Sequence, residues 1–272
     1  MALFFAPTEV GVARVTGADA TAYLQSQCTA DLRTATSQPA LWLNRKGRIL
    51  ALTVITSDAD RGLLVVSPHL GGPELVALIT SNVIADEVEV ADESSLWQRG
   101  VLWGQGTVVW PSDVHGLVSC RSLSPSWEVL APLEQALPWT QVAWTQLQSE
   151  SLHSGVPRVP EDAGEKEFPQ EVGLDALVSY QKGCYLGQEV MARIHAMGAL
   201  RRVLRCVTGT GPLVPGMPLK WQGKHVGEVR SAAGKIALAM VPTELAEGQS
   251  LEADSGAVTL GPPAGWHPPA QG

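Results

Sequence analysis

The sequence predicts an α+β region, residues 1–199, followed by a small all-β unit, residues 200–272. Three observations carry this reading. Between Val10 and Val90 the chain reads strand, helix, strands, helix, strand, the α+β pattern of antiparallel β with helices on one face. After Leu200 the texture changes to short β-rich runs split at intervals by Gly and Pro, the punctuation of a barrel or sandwich. At 272 residues and 45% hydrophobic content, the chain can bury the core of one large or two modest domains.

The elements follow in order. Val10–Gly17 alternates as a strand, and the helix after it starts at a capping-box-like pair, Thr16 and Asp19. Residues 40–68 read as three strands turned at "NRKG" and "SDADRG". Gly71–Ala85 has helical spacing at Leu75, Leu78 and Ile79, with Pro73 in its first turn, and Asp86–Val90 returns as a strand. "SLWQRGVLWG", "GTVVW", "GLVSCRS" and "SWEVLAP" predict further strands, and a helix is expected to start near Trp139 and stop at Gly155 and Pro157. The acids Glu161, Asp162 and Glu165 lie in a polar stretch whose composition predicts a solvated surface linker.

Charged residues make up 17% of the chain and the formal net charge is -8, which argues against coating nucleic acid through a broad basic surface. The four arginines of Arg193–Arg205 form a local basic cluster, read first as a solvated connection. The four cysteines, Cys28, Cys120, Cys184 and Cys206, are widely spaced, so neither a disulfide scaffold nor a locally built zinc or iron–sulfur cage is expected. No secretory signal and no membrane-length apolar run is read, which makes the cytoplasm the simplest location. Six of the nine tryptophans lie between Trp97 and Trp144; the ordinary reading is core filling, the sharper one a wall for a flat heteroaromatic ligand.

The stretch with chemistry in it is Ser179–His195, "SYQKGCYLGQEVMARIH". Gly183 and Gly187 allow tight backbone around Cys184, and the helical run from Leu186 puts this cysteine at or just before a helix N-terminus. There the helix dipole, with Lys182 two residues away, would favour a thiolate. Glu189 and Arg193 have the spacing of an intrahelical pair. Cys184 has three readings: a nucleophile needing a base such as His195 or His153, a redox or cluster-handling thiol, or a core residue.

Lys182-Gly183-Cys184-Tyr185-Leu186-Gly187-Gln188-Glu189 resembles the signature of the YgfZ family, folate-binding relatives of the glycine cleavage T-protein. The resemblance extends to Gly17, Asp19, Ala20, Tyr23, Leu24, Gln25, Gln27, Thr29 and Asp31 near the N-terminus, and to Gly47-Arg48. It continues through Gly155, Pro157, Pro169, Glu171 and Leu174, and reaches Gly227, Ser231 and Ala237 near the C-terminus. It implies a T-protein-like N-terminal region of ferredoxin-like units around a central channel, with a C-terminal β-barrel. It implies tetrahydrofolate or a related reduced folate as cofactor. It implies an accessory role in assembling or repairing iron–sulfur enzymes, tRNA-modifying ones included, with client or assembly proteins as partners and no direct contact to nucleic acid or membrane. In this reading Cys184, helped by Lys182, is the reactive thiol. Glu171 is an acceptor for pterin N–H groups, Arg48 a bidentate partner for the folate carboxylates, and Tyr185, Gln188, Glu189 and Arg193 complete the folate-facing set. The resemblance also implies an acidic pair after the Gly47 turn in T-proteins; this chain has Ala51 and Leu52 there. That departure counts against the alternative function, a tetrahydrofolate-dependent aminomethyl or demethylating transferase.

Overall fold

The run Ile49–Ser57 is mostly apolar, and every position is buried except half-buried Leu50 and exposed Ser57, so both of its faces are covered. This is the organising fact of a computed structural model that describes residues 3–33, 37–58, 61–119, 121, 125–198 and 200–266. In chain order the first elements are β1 (Leu3–Pro7), β2 (Val12–Thr16), α1 (Ala20–Gln27), β3 (Ser37–Leu43), β4 (Ile49–Ser57), β5 (Leu63–Val66), α2 (Gly72–Thr80) and β6 (Glu89–Asp92). A first antiparallel sheet has the order β3-β4-β5-β2-β6. Helices α1 and α2 cover one face through Leu24, Leu75 and Ile79 packed on Ala13, Val15, Ala51, Ile55 and Val65.

The next elements are β7 (Trp97–Gly104), β8 (His115–Val118), β9 (Ser126–Pro132), β10 (Thr140–Gln141) and α3 (Trp144–His153). They build a second sheet, β10-β1-β7-β9-β8, in which only the β1–β10 pair is parallel. The two sheets meet through Val10, Val12, Val54, Leu64 and Val66 against Leu117 and Leu130. A long irregular segment leads to α4 (Gln188–Met197), and then six strands close a barrel: β11 (Arg202–Gly209), β12 (Pro218–Trp221), β13 (Lys224–Ala233), β14 (Ile236–Pro242), β15 (Ser250–Ala253) and β16 (Gly256–Pro263). The barrel is filled by Val207, Leu219, Val229, Ala239, Leu251 and Val258. A separate apolar cluster runs from Leu41, Leu43 and Leu52 through Val172, Leu174, Tyr185 and Met191 to Leu204, Leu238 and Met240, so the α+β region and the barrel share a core.

The α+β reading with a small barrel agrees with this architecture, and several local expectations are corrected. Asp19 makes no side-chain cap on α1; its carboxylate accepts the Glu87 N–H across the sheet edge at 2.8 Å. Gly106–Trp110 is not a strand. Trp110 instead packs edge-on against Trp127 and Trp139, which holds the segment by side chains rather than by a ladder. Residues 140–141 are extended, because they pair with β1, and the helix starts only at Trp144. The acidic stretch is no surface linker throughout: Glu161 and Glu165 are exposed, but Asp162 and Glu167 are buried. The basic cluster also divides, Arg193 and Arg201 facing solvent while Arg205 is buried with its guanidinium on the Gly261 and Leu245 carbonyls. Cys120 and Ala199, where the boundary between the two regions is expected, lie outside the described residues. Among the described residues no three His, Cys, Asp or Glu side chains gather into a metal cage, and no helix is long and apolar enough to cross a membrane.

Candidate functional site

A cavity of about 600 Å³ opens where loops of the two sheets converge. That is the size range of small-molecule sites. One end is built by the β1–β2 connection (Pro7, Thr8, Glu9, Val10) and the segment after β5 (Pro68, His69). These two loops are tied by Gly11 N–H to the Leu70 carbonyl at 2.7 Å and Ser67 N–H to the Gly11 carbonyl at 2.9 Å. The other end is Trp144 at the start of α3, Arg121, and the turn Pro157–Glu161. Leu52 of β4 contributes an apolar wall. Backbone bonds place these residues at the cavity: Thr8 N–H donates to the Arg99 carbonyl at 2.9 Å, continuing the β1–β7 ladder, and Arg158 N–H donates to Asp162 Oδ2 at 2.9 Å.

What distinguishes this cavity is its unspent polar atoms. Thr8 Oγ1, His69 Nδ1 and Arg158 Nε are buried and have no hydrogen-bond partner. Buried polar groups are normally paired, because leaving one unpaired costs on the order of 1–3 kcal/mol. Three such atoms around one cavity point to a ligand that supplies the missing partners. Burial first, and the neighbouring Arg121 charge second, push the His69 imidazole down to about 4, so at neutral pH it offers a neutral ring. Arg121 is held by Glu128 at 2.7 Å and by the Pro68 carbonyl at 2.9 Å, and lies 4.8 Å from the Trp144 ring centroid. The cavity thus combines an aromatic wall, the fixed guanidinium of Arg121 and the more loosely held one of Arg158, a neutral imidazole and the carboxylates of Glu9 and Glu161.

The signature lies elsewhere, on a different surface. Thr29 and its neighbours receive it as a template: Ser179 N–H donates to the Thr29 carbonyl at 2.9 Å, Thr29 Oγ1 to the Leu177 carbonyl at 2.6 Å, and Leu186 N–H to the Ser26 carbonyl at 3.1 Å. Lys182 is 4% exposed, and its Nζ donates to the Cys28 and Ala30 carbonyls at 2.8 and 2.5 Å. Burial pulls its pKa below the ordinary lysine value, and burial raises that of the Cys28 thiol. This corrects the expectation that Lys182 charges up Cys184: its amino group is committed to backbone carbonyls. Nor does Cys184 sit in the first turn of α4. The helix begins at Gln188 with Gly187 as its cap, three residues on, and the dipole effect fades within a turn. Gly187 needs its positive φ of 85°, and a Cβ there would meet the Asn44 carbonyl oxygen at 2.9 Å.

Cys184 itself is exposed, in a shallow surface groove lined also by Arg45, Tyr185, Leu186, Gln188 and Glu189. Neither candidate base joins it. His195 stacks on Tyr180 with ring centroids 4.0 Å apart, and His153 is bonded to the Ser149 carbonyl, so among the described residues no hydrogen bond links either ring to the thiol. Glu189 and Arg193 do pair, at 2.9 Å, on an exposed helix face. Tyr185 is 7% exposed and belongs to the shared core; its hydroxyl has no hydrogen-bond partner, and burial pushes it up to about 12.

Glu171 and Arg48 were expected to meet a folate, yet neither lines the central cavity; they meet each other. Glu171 accepts Arg48 Nη1 at 3.1 Å, Arg202 Nε at 3.0 Å and the Phe168 N–H at 2.9 Å, so both of its oxygens are taken. Arg48 lies 3.4 Å over the Phe168 ring. With Glu167 between Arg230 and Arg202, these residues form an ionic seam joining the α+β region to the barrel. Sequence reasoning missed Thr8, Glu9, His69, Arg121 and Arg158, which lie on separate loops that only the fold brings together.

Comparisons with known proteins agree with the architecture. The family model described as the CAF17 C-terminal beta-barrel domain matches residues 201–268. The "tRNA-modifying protein YgfZ" of Vibrio vulnificus (strain CMCP6) is 28% identical, over 83% of this chain and 76% of its own length. The protein of the same name from Edwardsiella ictaluri (strain 93-146) is 27% identical, over 74% of this chain and 69% of its own. The crystal structure of glycine cleavage system aminomethyltransferase T from Bartonella henselae superposes with a TM-score of 0.81 at 16% identity, covering 96% of this chain and 85% of that one, a likeness of fold.

Proposed function

We propose that this chain, a relative of the YgfZ proteins built on a T-protein fold, is a reduced-folate-binding accessory protein that supports iron–sulfur enzymes, tRNA-modifying ones among them. The observation that carries the proposal is the central cavity with its three unpartnered buried polar atoms. The residues present fit a reduced folate. Trp144, Leu52 and Val10 offer apolar and aromatic surface to a flat ring, and Thr8, His69 and Glu9 offer donors and acceptors to a pterin edge. Arg121 and Arg158 offer guanidinium groups to carboxylates. A bound reduced folate would supply a carrier for one-carbon units.

The protein's own part is to orient and shield. His69, neutral at pH 7, can pair with a ligand N–H without adding charge to the cavity. Leu52 stands on the wall, where the T-protein resemblance implies an acid, so the site presents no carboxylate there to assist aminomethyl transfer. This supports an accessory role over the transferase reading. Cys184, on its separate exposed groove, is then the group turned toward a protein partner, with thiol or cluster chemistry at the surface and the folate sensed inside.

Thermal unfolding with added tetrahydrofolate tests the reading: the melting temperature should climb with the logarithm of ligand concentration. A flat response at saturating ligand overturns folate binding. Complementation of a deletion strain by Cys184→Ser tests the thiol: a folded variant that fails to restore iron–sulfur enzyme activity supports the accessory role, and full restoration removes it.

A further inference from the structure

The groove that holds Cys184 has a volume of about 530 Å³ and an apolar floor of Tyr185, Leu186 and Val190. A Cβ at Gly183 would meet nothing within 4 Å, so the backbone beside the thiol stands in open space. Charge around this groove is lopsided. Glu189 on its wall is held by Arg193 at 2.9 Å, and Asp31 beside the signature loop is held by Arg33 at 2.8 Å, whose Nη2 also reaches the Lys182 carbonyl at 3.4 Å. Each of these acids therefore has a cation of its own.

That leaves Arg45, on the groove wall, and Lys46 beside it in the same turn. Both are exposed, and among the described residues neither side chain has an ion-pair or hydrogen-bond partner. The turn that presents them is fixed: Asn44 Oδ1 accepts the Lys46 N–H at 2.9 Å and the Arg48 N–H at 3.1 Å, and Gly47 is buried against Val190 and Met191 of α4. The sign reverses along α1. Its C-terminal end reaches the groove through Ser26, whereas exposed Asp86, Glu87 and Glu89 lie by its N-terminal end, where the Asp19 carboxylate accepts the Glu87 N–H. A chain of net charge -8 thus turns uncompensated positive charge toward its exposed thiol.

We propose that this groove docks an acidic segment of a protein partner, with carboxylates at Arg45 and Lys46 and an apolar side chain on the floor, within reach of the Cys184 thiol. The inference rests on the reading of Cys184 as the partner-facing group. RNA is the lesser fit. Tyr185 is 7% exposed and offers no open ring face to a base, and two free cations are few for a phosphate backbone in so acidic a chain.

Two short peptides test this on the full chain, one of glutamate and leucine and one of lysine and leucine, each carrying a cysteine activated as its thiopyridyl disulfide. The Cys184 thiolate attacks the peptide sulfur, the S–S bond breaks, and the thiopyridone that leaves with its electron pair is read by absorbance; Cys184→Ser gives the background of the other thiols. The overall negative charge favours the basic peptide, so a preference for the acidic one reports the local field. At low salt the acidic peptide is expected to react about tenfold faster, and the two rates should converge at about 0.5 M salt. Arg45→Glu combined with Lys46→Glu should invert the preference with the melting temperature unchanged. A wild-type ratio within twofold, a ratio unmoved by salt, or a tenfold ratio kept in the double variant overturns the acidic partner alone. Binding of a short single-stranded RNA at this face, with a peptide ratio within twofold, assigns it to nucleic acid and likewise overturns the proposal. Wild-type rates no faster than the Cys184→Ser background overturn the reading of Cys184 as an available thiol, and the docking site with it.

Discussion

The signature loop and the central cavity make opposite use of their polar groups. In the loop, the most motif-like part of the chain, Lys182 is consumed by two carbonyls and Gly187 by a close backbone approach; Cys184 is left exposed on the outside, and Tyr185 keeps a buried hydroxyl without a partner. In the cavity, built mostly from residues outside any motif, Thr8, His69 and Arg158 keep polar atoms without partners. A specific sequence pattern here marks placement; chemical availability has to be read from the unpaired atoms. The proposed function needs both, one to present a thiol and the other to hold a ligand.

The contrast can be broken experimentally. The largest effect is expected from Lys182→Met, which strands the Cys28 and Ala30 carbonyls in the core. Urea unfolding should show a loss of about 3 kcal/mol, with tetrahydrofolate affinity of the folded protein unchanged; an unaltered midpoint would mean that the lysine is not a structural tie. Trp144→Ala should do the reverse, weakening tetrahydrofolate roughly thirtyfold, about 2 kcal/mol, while Gln188→Ala in the signature groove leaves it alone. Equal losses in both would dissolve the distinction between the two regions.

A smaller, pH-dependent effect belongs to His69. Its folded-state pKa of about 4 lies below the ordinary 6.5, so the unfolded chain takes up the proton first. The stability that this depression represents is complete above pH 6.5 and is lost progressively as the pH falls toward 4. On the order of 2 kcal/mol is expected from this group, and His69→Gln should remove that part of the acid-side slope in denaturation curves. An unchanged slope would show the imidazole to be exposed to protonation in the native state. The smallest effect is that of Cys184→Ser on stability, expected within about 0.5 kcal/mol because the side chain faces solvent; a larger shift would make the cysteine structural.

Much of the architecture was legible because it rests on local pattern. The turn at Asn44–Gly47 separates β3 from β4 where composition puts it, β5 follows β4 as expected, and β9 occupies the predicted "SWEVLAP". The failures have a common cause. Gly106–Trp110 is as β-like as its neighbours, but a tryptophan cluster set its conformation; Asp162 reads as a surface acid, but the upstream turn gives it a buried partner in the Arg158 N–H at 2.9 Å. Glu171 and Arg48 were each plausible ligand contacts taken singly, and only the fold shows that they satisfy one another. Pairing across 123 positions, as for these two, leaves no trace in a local reading.

The seating of the signature on the turn before β4 has a consequence for anyone who would move it. A Cβ at Gly187 would strike the Asn44 carbonyl oxygen at 2.9 Å, and one at Gly47 would strike the Met191 methyl at 2.7 Å. The eight residues 182–189 and the turn 44–48 are lock and keyway, cut to each other though far apart in the chain. Transplanted alone into another scaffold, the signature would lose the surface against which its loop is shaped; transplanted with the turn, it would carry its own mould.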